Sequence, residues 1–125
     1  MKDFRRLAVW ERAHALTLAI FECTKAFPRE ELFGIISQMR RSSASIAANI
    51  AEGCGRTGNG EFHRFLNTAA GSACELEYFL LLSRDLKLLS DGSFDTLRAD
   101  VCEVQRMLAS LIRKVDVARR VKASC

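Results

Sequence analysis

The residues that could do chemistry fall into a glycine-rich link and a set of arginines. The link GCGRTGNGEF has glycines at 53, 55, 58 and 60 and leads into a predicted helix. Nucleotide-binding loops need the pattern G-x-x-x-x-G-K-S/T or a strand before the loop, and this stretch has neither. Backbone N–H groups at a helix start bind anions weakly. The link therefore predicts no dedicated nucleotide site.

Metal binding and nucleophilic catalysis lack a suitable pattern as well. A di-iron bundle needs Glu-x-x-His on two facing helices, whereas this chain has Glu61-x-His63 once. His14 falls on the apolar face of the first predicted helix, where we expect a hydrogen-bonded core histidine. Serines and cysteines are numerous, but no spacing predicts a catalytic triad. We therefore predict a non-enzymatic protein with no metal and no cofactor.

Two acidic residues in the third predicted helix are expected to meet arginines. Glu75 and Glu77 point to different sides of that helix, so they cannot form an acid/base pair within one chain. We predict that Glu77 or Glu52 pairs with Arg40 or Arg41 across the second and third helices, because a partly buried Arg40 needs a partner. Arg40 and Arg41 lie about 100° apart around the helix. One could therefore pair internally while the other binds a ligand at the surface.

Nucleic acid is the remaining candidate ligand. The chain has fourteen Arg and five Lys and a net charge of +4, which permits an anionic partner without demanding one. Arginine also suits bidentate contacts with phosphate. No helix-turn-helix, zinc finger or aromatic RNA-binding motif is present, so the predicted contact is with the RNA or DNA backbone. An ordinary solvated face is the alternative for the candidate residues, which are Arg40, Arg41, Arg56, Arg64, Arg113, Lys114, Arg119 and Arg120.

Four helices must position these side chains. Apolar residues recur at spacings of three and four and predict helices at about 3–27, 30–52, 60–88 and 93–118, followed by a basic tail at 119–125. Asp3 is a candidate cap for the first helix, and Pro28 and Gly53 are predicted to end the first two. The links are short, so neighbouring helices should be antiparallel. The expected fold is one all-α domain over residues 1–125, an up-down-up-down four-helix bundle.

The second and third helices carry more apolar surface than a bundle core requires. Gly71 lies inside the third helix, where glycine costs about 1 kcal/mol against alanine and implies a close neighbour. Large exposed apolar patches usually mark protein contacts, so we predict a homo-oligomer. The alternative is that the small residues only tighten the contact between these two helices. The candidate interface residues are Phe33, Ala44, Ala48, Cys74, Tyr78 and Leu81.

Cysteine usage and hydropathy predict the compartment. The chain has five cysteines and no C-x-x-C, an odd number that argues against a disulfide framework. The charged start MKDFRRLAVWERA has no signal-peptide core, and no apolar run is long enough to span a membrane. We therefore expect a reduced, cytoplasmic protein with no membrane partner.

Several short segments together resemble one known family. They are FP at 27–28, FG at 33–34, SQ-x-RR at 37–41, NIAEG at 49–53, EF at 61–62, RFL at 64–66, GS at 71–72 and ELE at 75–77. The stretch from about residue 5 to 90 resembles the ribosomal intervening-sequence proteins, small bacterial four-helix bundles. Some members are encoded within insertions in 23S rRNA genes. The resemblance implies a homo-oligomer and favours a ring-like pentamer.

A more distant similarity is to the accessory protein of diversity-generating retroelements. That protein is a basic pentameric bundle that works with a reverse transcriptase and nucleic acid. The chain departs from the family at Gly58, where many members carry a serine that could complete a capping box with Glu61. The family has no settled biochemical activity, so the resemblance predicts the fold better than the function.

The leading functional prediction is a binding or scaffold protein that associates with nucleic acid through its arginine-rich surface. The alternative is a protein–protein adaptor that uses the apolar flank of the third helix and binds no nucleic acid. Salt separates the two predictions, because phosphate contacts weaken steeply as the salt concentration rises whereas apolar contacts do not.

Overall fold

The computed structural model describes the backbone of residues 2–124 and the side chains of residues 2–122. Met1 and Cys125, the last residue of the predicted basic tail, lie outside the described residues. The described chain contains no strand and folds into four long helices, α1 (Ala8–Thr24), α2 (Ser37–Cys54), α3 (Asn59–Asp85) and α4 (Asp91–Ser124). Helices α1 and α3 each pack against both α2 and α4. The predicted all-α four-helix bundle is therefore confirmed.

One apolar core runs through the bundle, and the predicted stripes of α3 and α4 supply much of it. The α4 stripe holds its spacing of three and four, as a left-handed bundle seam requires. From α3 the buried side chains are Phe62, Leu66, Ala69, Ala73, Leu76 and Leu80; from α4 they are Phe94, Leu97, Val101, Val104, Leu108 and Val115.

The first helix is shorter than predicted. Asp3 acts as a cap, because its Oδ1 accepts a hydrogen bond of 3.1 Å from the Arg5 N–H, but it caps only a short 3-10 turn, Phe4–Arg6. Leu7 then adopts an extended conformation, and α1 begins at Ala8. At the other end α1 stops at Thr24, before the turn that leads to Pro28. The single helix predicted for residues 3–27 is therefore a 3-10 turn, an extended residue and a shorter α-helix.

The second helix is also interrupted near its start. A 3-10 turn at Arg29–Glu31 is followed by a π-helical turn at Leu32–Ile36. Within that turn, Gly34 has φ −110° and ψ −111°, which kinks the chain before α2 begins at Ser37. Ile35 and Ile36 are buried and anchor the segment, whereas the Leu32 side chain is exposed.

The predicted helix stop at Gly53 is wrong. Helix α2 continues to Cys54, and Gly55 follows it in a right-handed conformation. Gly53 is buried because α3 packs directly against it. A Cβ atom placed there would lie 2.9 Å from the Phe65 Cβ and 3.0 Å from the Phe62 ring. Close helix packing, rather than chain reversal, is what requires this glycine.

The ends of the last two helices also differ from the prediction. Helix α3 ends at Asp85 instead of 88, because Lys87 takes a left-handed conformation with φ 63°. Ser90 caps the start of α4 by accepting a hydrogen bond of 3.2 Å from the Ser93 N–H. Helix α4 continues to Ser124, through most of the predicted tail.

Candidate nucleic-acid interface

Antiparallel packing concentrates basic residues at one end of the bundle. The starts of α1 and α3 meet the ends of α2 and α4 there. We divide each of the four helices at its midpoint. The basic end comprises the halves that meet at this end of the bundle, which are residues 2–16, 46–72 and 108–124. It holds five acidic residues, Asp3, Glu11, Glu52, Glu61 and Asp116. Against them stand eleven basic residues, Lys2, Arg5, Arg6, Arg12, Arg56, Arg64, Arg113, Lys114, Arg119, Arg120 and Lys122.

The opposite half of the described chain has the reverse balance. It holds eight basic residues, Lys25, Arg29, Arg40, Arg41, Arg84, Lys87, Arg98 and Arg106. The acidic residues outnumber them: Glu22, Glu30, Glu31, Glu75, Glu77, Asp85, Asp91, Asp95, Asp100 and Glu103. The net charge of +4 is therefore the sum of a basic half and an acidic half of the bundle.

Six of the eight predicted nucleic-acid-binding residues lie in the basic end. Arg56 lies in the link between α2 and α3, Arg64 lies near the start of α3, and Arg113, Lys114, Arg119 and Arg120 are exposed on α4. The structure thus brings together residues that are far apart in the sequence. Arg40 and Arg41 lie in the other half of the bundle and make different contacts.

The arginines at the link share one aromatic ring. The Arg56 and Arg64 guanidinium carbons lie 5.3 Å and 4.4 Å from the Phe65 ring centroid. Arg56 also pairs with Glu52 at 2.6 Å, and Arg64 pairs with Glu61 at 2.7 Å. The Arg64 hydrogen bond, followed by its charge, lowers the pKa of the Glu61 carboxyl. Glu61 therefore stays ionised and occupies Arg64 in the free protein.

A polar bridge ties the C-terminal part of α4 to the start of α3. The His63 Nε2 and Asp116 Oδ1 atoms are 2.8 Å apart, and His63 Nδ1 lies 3.1 Å from Asn67 Nδ2. Neutral His63 can satisfy both contacts by donating from Nε2 and accepting at Nδ1. Asp116 also lies 3.8 Å from Arg119. This bridge holds the basic last turns of α4 against the link.

An open cavity of about 650 Å³ lies between the link and α4. The start of α3 at this cavity has no side-chain cap, because the N-cap residue is Gly58, which adopts φ 82° and ψ 151°. A serine would be strained in that conformation, so a capping box between a serine at this position and Glu61 would need a different backbone. The cavity is lined by Gly58, Asn59, Gly60, Asp116, Arg119, Arg120 and Lys122.

Arg40 is half-buried and makes contacts within the bundle, none of which is an ion pair in the described structure. Its Nε donates a 2.9 Å hydrogen bond to Thr24 Oγ1, and its Nη2 lies 3.4 Å from the Phe21 carbonyl oxygen. The guanidinium carbon is 4.9 Å from the Phe21 ring centroid. Buried Thr24 in turn donates to the Ile20 carbonyl at 2.8 Å. Arg40 therefore holds α2 against α1 and is poorly placed to bind a ligand.

Arg41 points to the other side of α2 and is exposed. Its Nη2 lies 3.1 Å from Glu75 Oε1 and 2.8 Å from Gln38 Oε1. Glu77 pairs instead with Arg98 at 3.4 Å. The predicted pairing of Glu77 or Glu52 with an arginine of α2 at 40 or 41 is therefore wrong, since Glu75 is the partner. The expectation that both Glu75 and Glu77 meet arginines holds.

The predicted interface residues all lie on the surface of the single chain. Phe33 is 94% exposed, Tyr78 57% and Leu81 39%, and Ala44, Ala48 and Cys74 are also exposed. A Cβ placed on Gly71 would have no atom within 4 Å outside its own helix. The close neighbour expected at Gly71 is therefore not found among the described residues, whereas the contact between α2 and α3 includes the 2.9 Å hydrogen bond between Ser45 and Ser72.

The other residue types that could take part in catalysis or metal binding, histidine and cysteine, form no such site among the described residues. His14 is exposed and stacks on Trp10, with centroids 5.0 Å apart, so the expected core histidine is wrong. Burial raises the pKa of the Cys23 and Cys54 thiols, which keeps them protonated. Among the described residues, no group of three His, Cys, Asp or Glu side chains is arranged to hold a metal ion.

The described helices also lack a membrane-spanning segment. None of them combines the length and the apolar character needed to cross a bilayer.

Residues 84, 94 and 98 were missed by the sequence reasoning. Arg84, Phe94 and Arg98 join Cys74, Glu77, Tyr78 and Leu81 around a groove of about 480 Å³ between α3 and α4. Phe94 is buried in the core and also lines this groove, because α3 and α4 meet there. The periodicity of a single helix carries no signal for such a meeting of two helices.

Comparison with known proteins places the chain in a family. Residues 5–110 match the sequence profile described as 23S rRNA-intervening sequence protein. A crystal structure of a protein with unknown function from the S23 ribosomal protein family of Bacteroides thetaiotaomicron VPI-5482 is similar, with 27% identity and a TM-score of 0.79. The alignment covers 84% of this chain and 95% of that one. No curated protein matches. The chain belongs to the 23S rRNA-intervening sequence protein family.

Proposed function

We propose that this protein is a non-enzymatic nucleic-acid-binding protein that contacts phosphates with its basic end. The observation that carries the proposal is the separation of charge along the bundle, with eleven basic and five acidic residues in one half. A surface of this kind attracts a polyanion over distances comparable to the Debye length, about 8 Å at physiological salt. The opposite half, where acidic residues outnumber basic ones, would repel it.

The contact would read the backbone and not the base sequence. The eleven basic residues of the basic end are spread over the N-terminal segment, α1, the link between α2 and α3, the start of α3 and the end of α4. Phosphate contacts position a protein on nucleic acid, whereas sequence is read by side chains that reach base edges. We therefore expect RNA and DNA of unrelated sequence to bind with similar affinity. Because the family description refers to 23S rRNA, structured RNA is the first probe to use.

Charge reversal at the two ends of the bundle tests the proposal. The test variant is Arg113→Glu with Lys114→Glu, and the control is Lys25→Glu with Lys87→Glu, which changes the net charge equally in the other half. We expect the test variant to lose at least about tenfold in affinity for RNA, because each lost phosphate contact removes counterion release. The control should change affinity much less. Fluorescence anisotropy at low and moderate salt measures both.

Two results would overturn the proposal. One is that the unaltered protein binds neither RNA nor DNA at low salt. The other is an equal loss of affinity in both variants, which would show that net charge matters and the basic end does not.

A second candidate function is that of a protein–protein adaptor. Tyr78 and Leu81 favour it, because both are exposed and lie three residues apart on the same face of α3, and contiguous apolar patches usually mark protein contacts. A partner bound there should stay bound at high salt and survive nuclease treatment. Tyr78→Ala should release it, whereas the charge reversal at Arg113 and Lys114 should not.

A further inference from the structure

Two aromatic side chains stack at the surface of α1, within the basic end. The rings of Trp10 and His14 have centroids 5.0 Å apart and an interplanar angle of 9°. His14 is exposed, and its ring makes no hydrogen bond and no second ring contact with a described residue. The pair therefore presents a flat aromatic surface to solvent.

The inner end of this stack is anchored to the bundle. The Phe4 ring meets the Trp10 ring edge to face, with centroids 5.0 Å apart and an interplanar angle of 61°. Both side chains are partly buried and pack against the apolar core. The turn that carries Phe4 is fixed by the cap at Asp3. Because the rings are held in place before a ligand arrives, stacking on them costs little conformational entropy.

Basic side chains belong to the same segment as the rings. The Arg5 guanidinium carbon lies 5.8 Å from the Phe4 ring centroid, and exposed Arg6 forms no ion pair with a described residue. The Lys2 N–H donates a 3.0 Å hydrogen bond to the Cys54 carbonyl oxygen, which fixes this segment beside the link between α2 and α3. Proteins that bind single-stranded nucleic acid combine such groups, because bases stack on the rings while cations contact the phosphates.

We propose that the Trp10–His14 stack binds an unpaired nucleobase, so that the basic end prefers single-stranded RNA or DNA to a fully paired duplex. This inference rests on the proposed function, because phosphate contacts at the basic end bring the strand to the stack. The bases inside a duplex are already stacked on their neighbours and cannot reach these rings. Since every base has a π-face, the stack selects unpaired bases and not a particular sequence.

A strand without bases separates stacking from phosphate contact. The two probes are a DNA strand of about 12 thymidines and an abasic strand of the same length and charge. The unaltered protein should bind the thymidine strand at least about fivefold more tightly, as expected for one stacked base. The emission of Trp10, the only tryptophan in the chain, should fall with the thymidine strand and not with the abasic one. Anisotropy and tryptophan fluorescence titrations measure the two effects.

Two substitutions at position 14 isolate the contribution of the ring. His14→Leu covers Trp10 with a side chain that has no π-face, so the affinity for the thymidine strand should fall to that for the abasic strand. His14→Phe keeps a ring and should keep the preference. Tyr78→Ala removes an exposed ring from the opposite half of the bundle and is the matched control, which should also keep it. Helical circular dichroism checks that each variant is folded.

The results that overturn this inference differ from the result that overturns the proposed function. Binding of neither strand at low salt would contradict the proposed function and the inference with it. Equal affinity for the two strands would overturn the inference alone, since phosphate contacts would then account for all of the binding. A His14→Leu variant that keeps the full preference would also overturn it, because the base would then stack elsewhere.

Discussion

Two adjacent arginines show how far residue type alone predicts a role. Arg40 and Arg41 have the same side chain and differ by about 100° around the helix. That rotation places Arg40 over Thr24 and Phe21 of α1 and Arg41 beside Glu75 of α3. The sequence predicted that the two arginines would differ. It could not predict their partners, because the partners depend on which helix lies on each side of α2.

Replacing Arg40 should therefore affect stability more than replacing Arg41. Arg40→Ala removes a hydrogen bond to buried Thr24 and the contact with the Phe21 ring, and should lower the free energy of unfolding by about 1–2 kcal/mol. Arg41→Ala breaks an exposed ion pair and should cost less than about 0.5 kcal/mol. Urea denaturation measures both values. Equal effects would contradict the internal role of Arg40.

At the scale of the helices, the sequence pattern predicted the core better than the interruptions. The α4 stripe is placed correctly because burial on one face repeats regularly over many residues. The kink at Gly34 leaves no comparable pattern, since it involves one residue and depends on how the buried pair Ile35 and Ile36 meets the core. The sequence pattern predicted that Gly53 ends α2. It did not predict the close contact between Gly53 and α3.

Two helical glycines should respond in opposite ways to alanine. Gly71→Ala should raise the free energy of unfolding by about 0.5–1 kcal/mol, because alanine favours the helix and the added Cβ meets nothing within 4 Å outside that helix. Gly53→Ala should lower it by about 1–3 kcal/mol, because the added Cβ would lie 2.9 Å from the Phe65 Cβ. Thermal and urea unfolding distinguish them, and a loss of stability in both variants would refute the prediction for Gly71.

For the whole molecule, the arrangement of charge carries more information than its total. The composition showed a mild excess of positive charge, which is compatible with many functions. The antiparallel order of the helices turns that excess into a basic end and an acidic end. The candidate residues were identified from the sequence, but their convergence depends on four chain segments that meet only in the folded bundle.

Removing one acidic residue should affect nucleic-acid binding only at the basic end. Glu61→Gln releases Arg64 from its 2.7 Å ion pair and should tighten RNA binding by roughly two- to fivefold. Glu22→Gln breaks the matched pair with Lys25, also at a spacing of three residues, in the other half. The Glu22→Gln variant should leave the affinity for RNA unchanged, because Glu22 lies farther from the basic end than the Debye length of about 8 Å. Anisotropy titrations at moderate salt compare the two, and equal tightening would contradict an end-specific site.

The separation of charge along the bundle has a consequence for how the molecule orients itself. One half of the described chain holds eleven basic and five acidic residues, and the other holds eight basic and ten acidic residues. The folded chain therefore has an electric dipole moment directed along its helices. A polyanion would turn the molecule basic end first before contact, so this dipole acts on the rate of association, and salt weakens it.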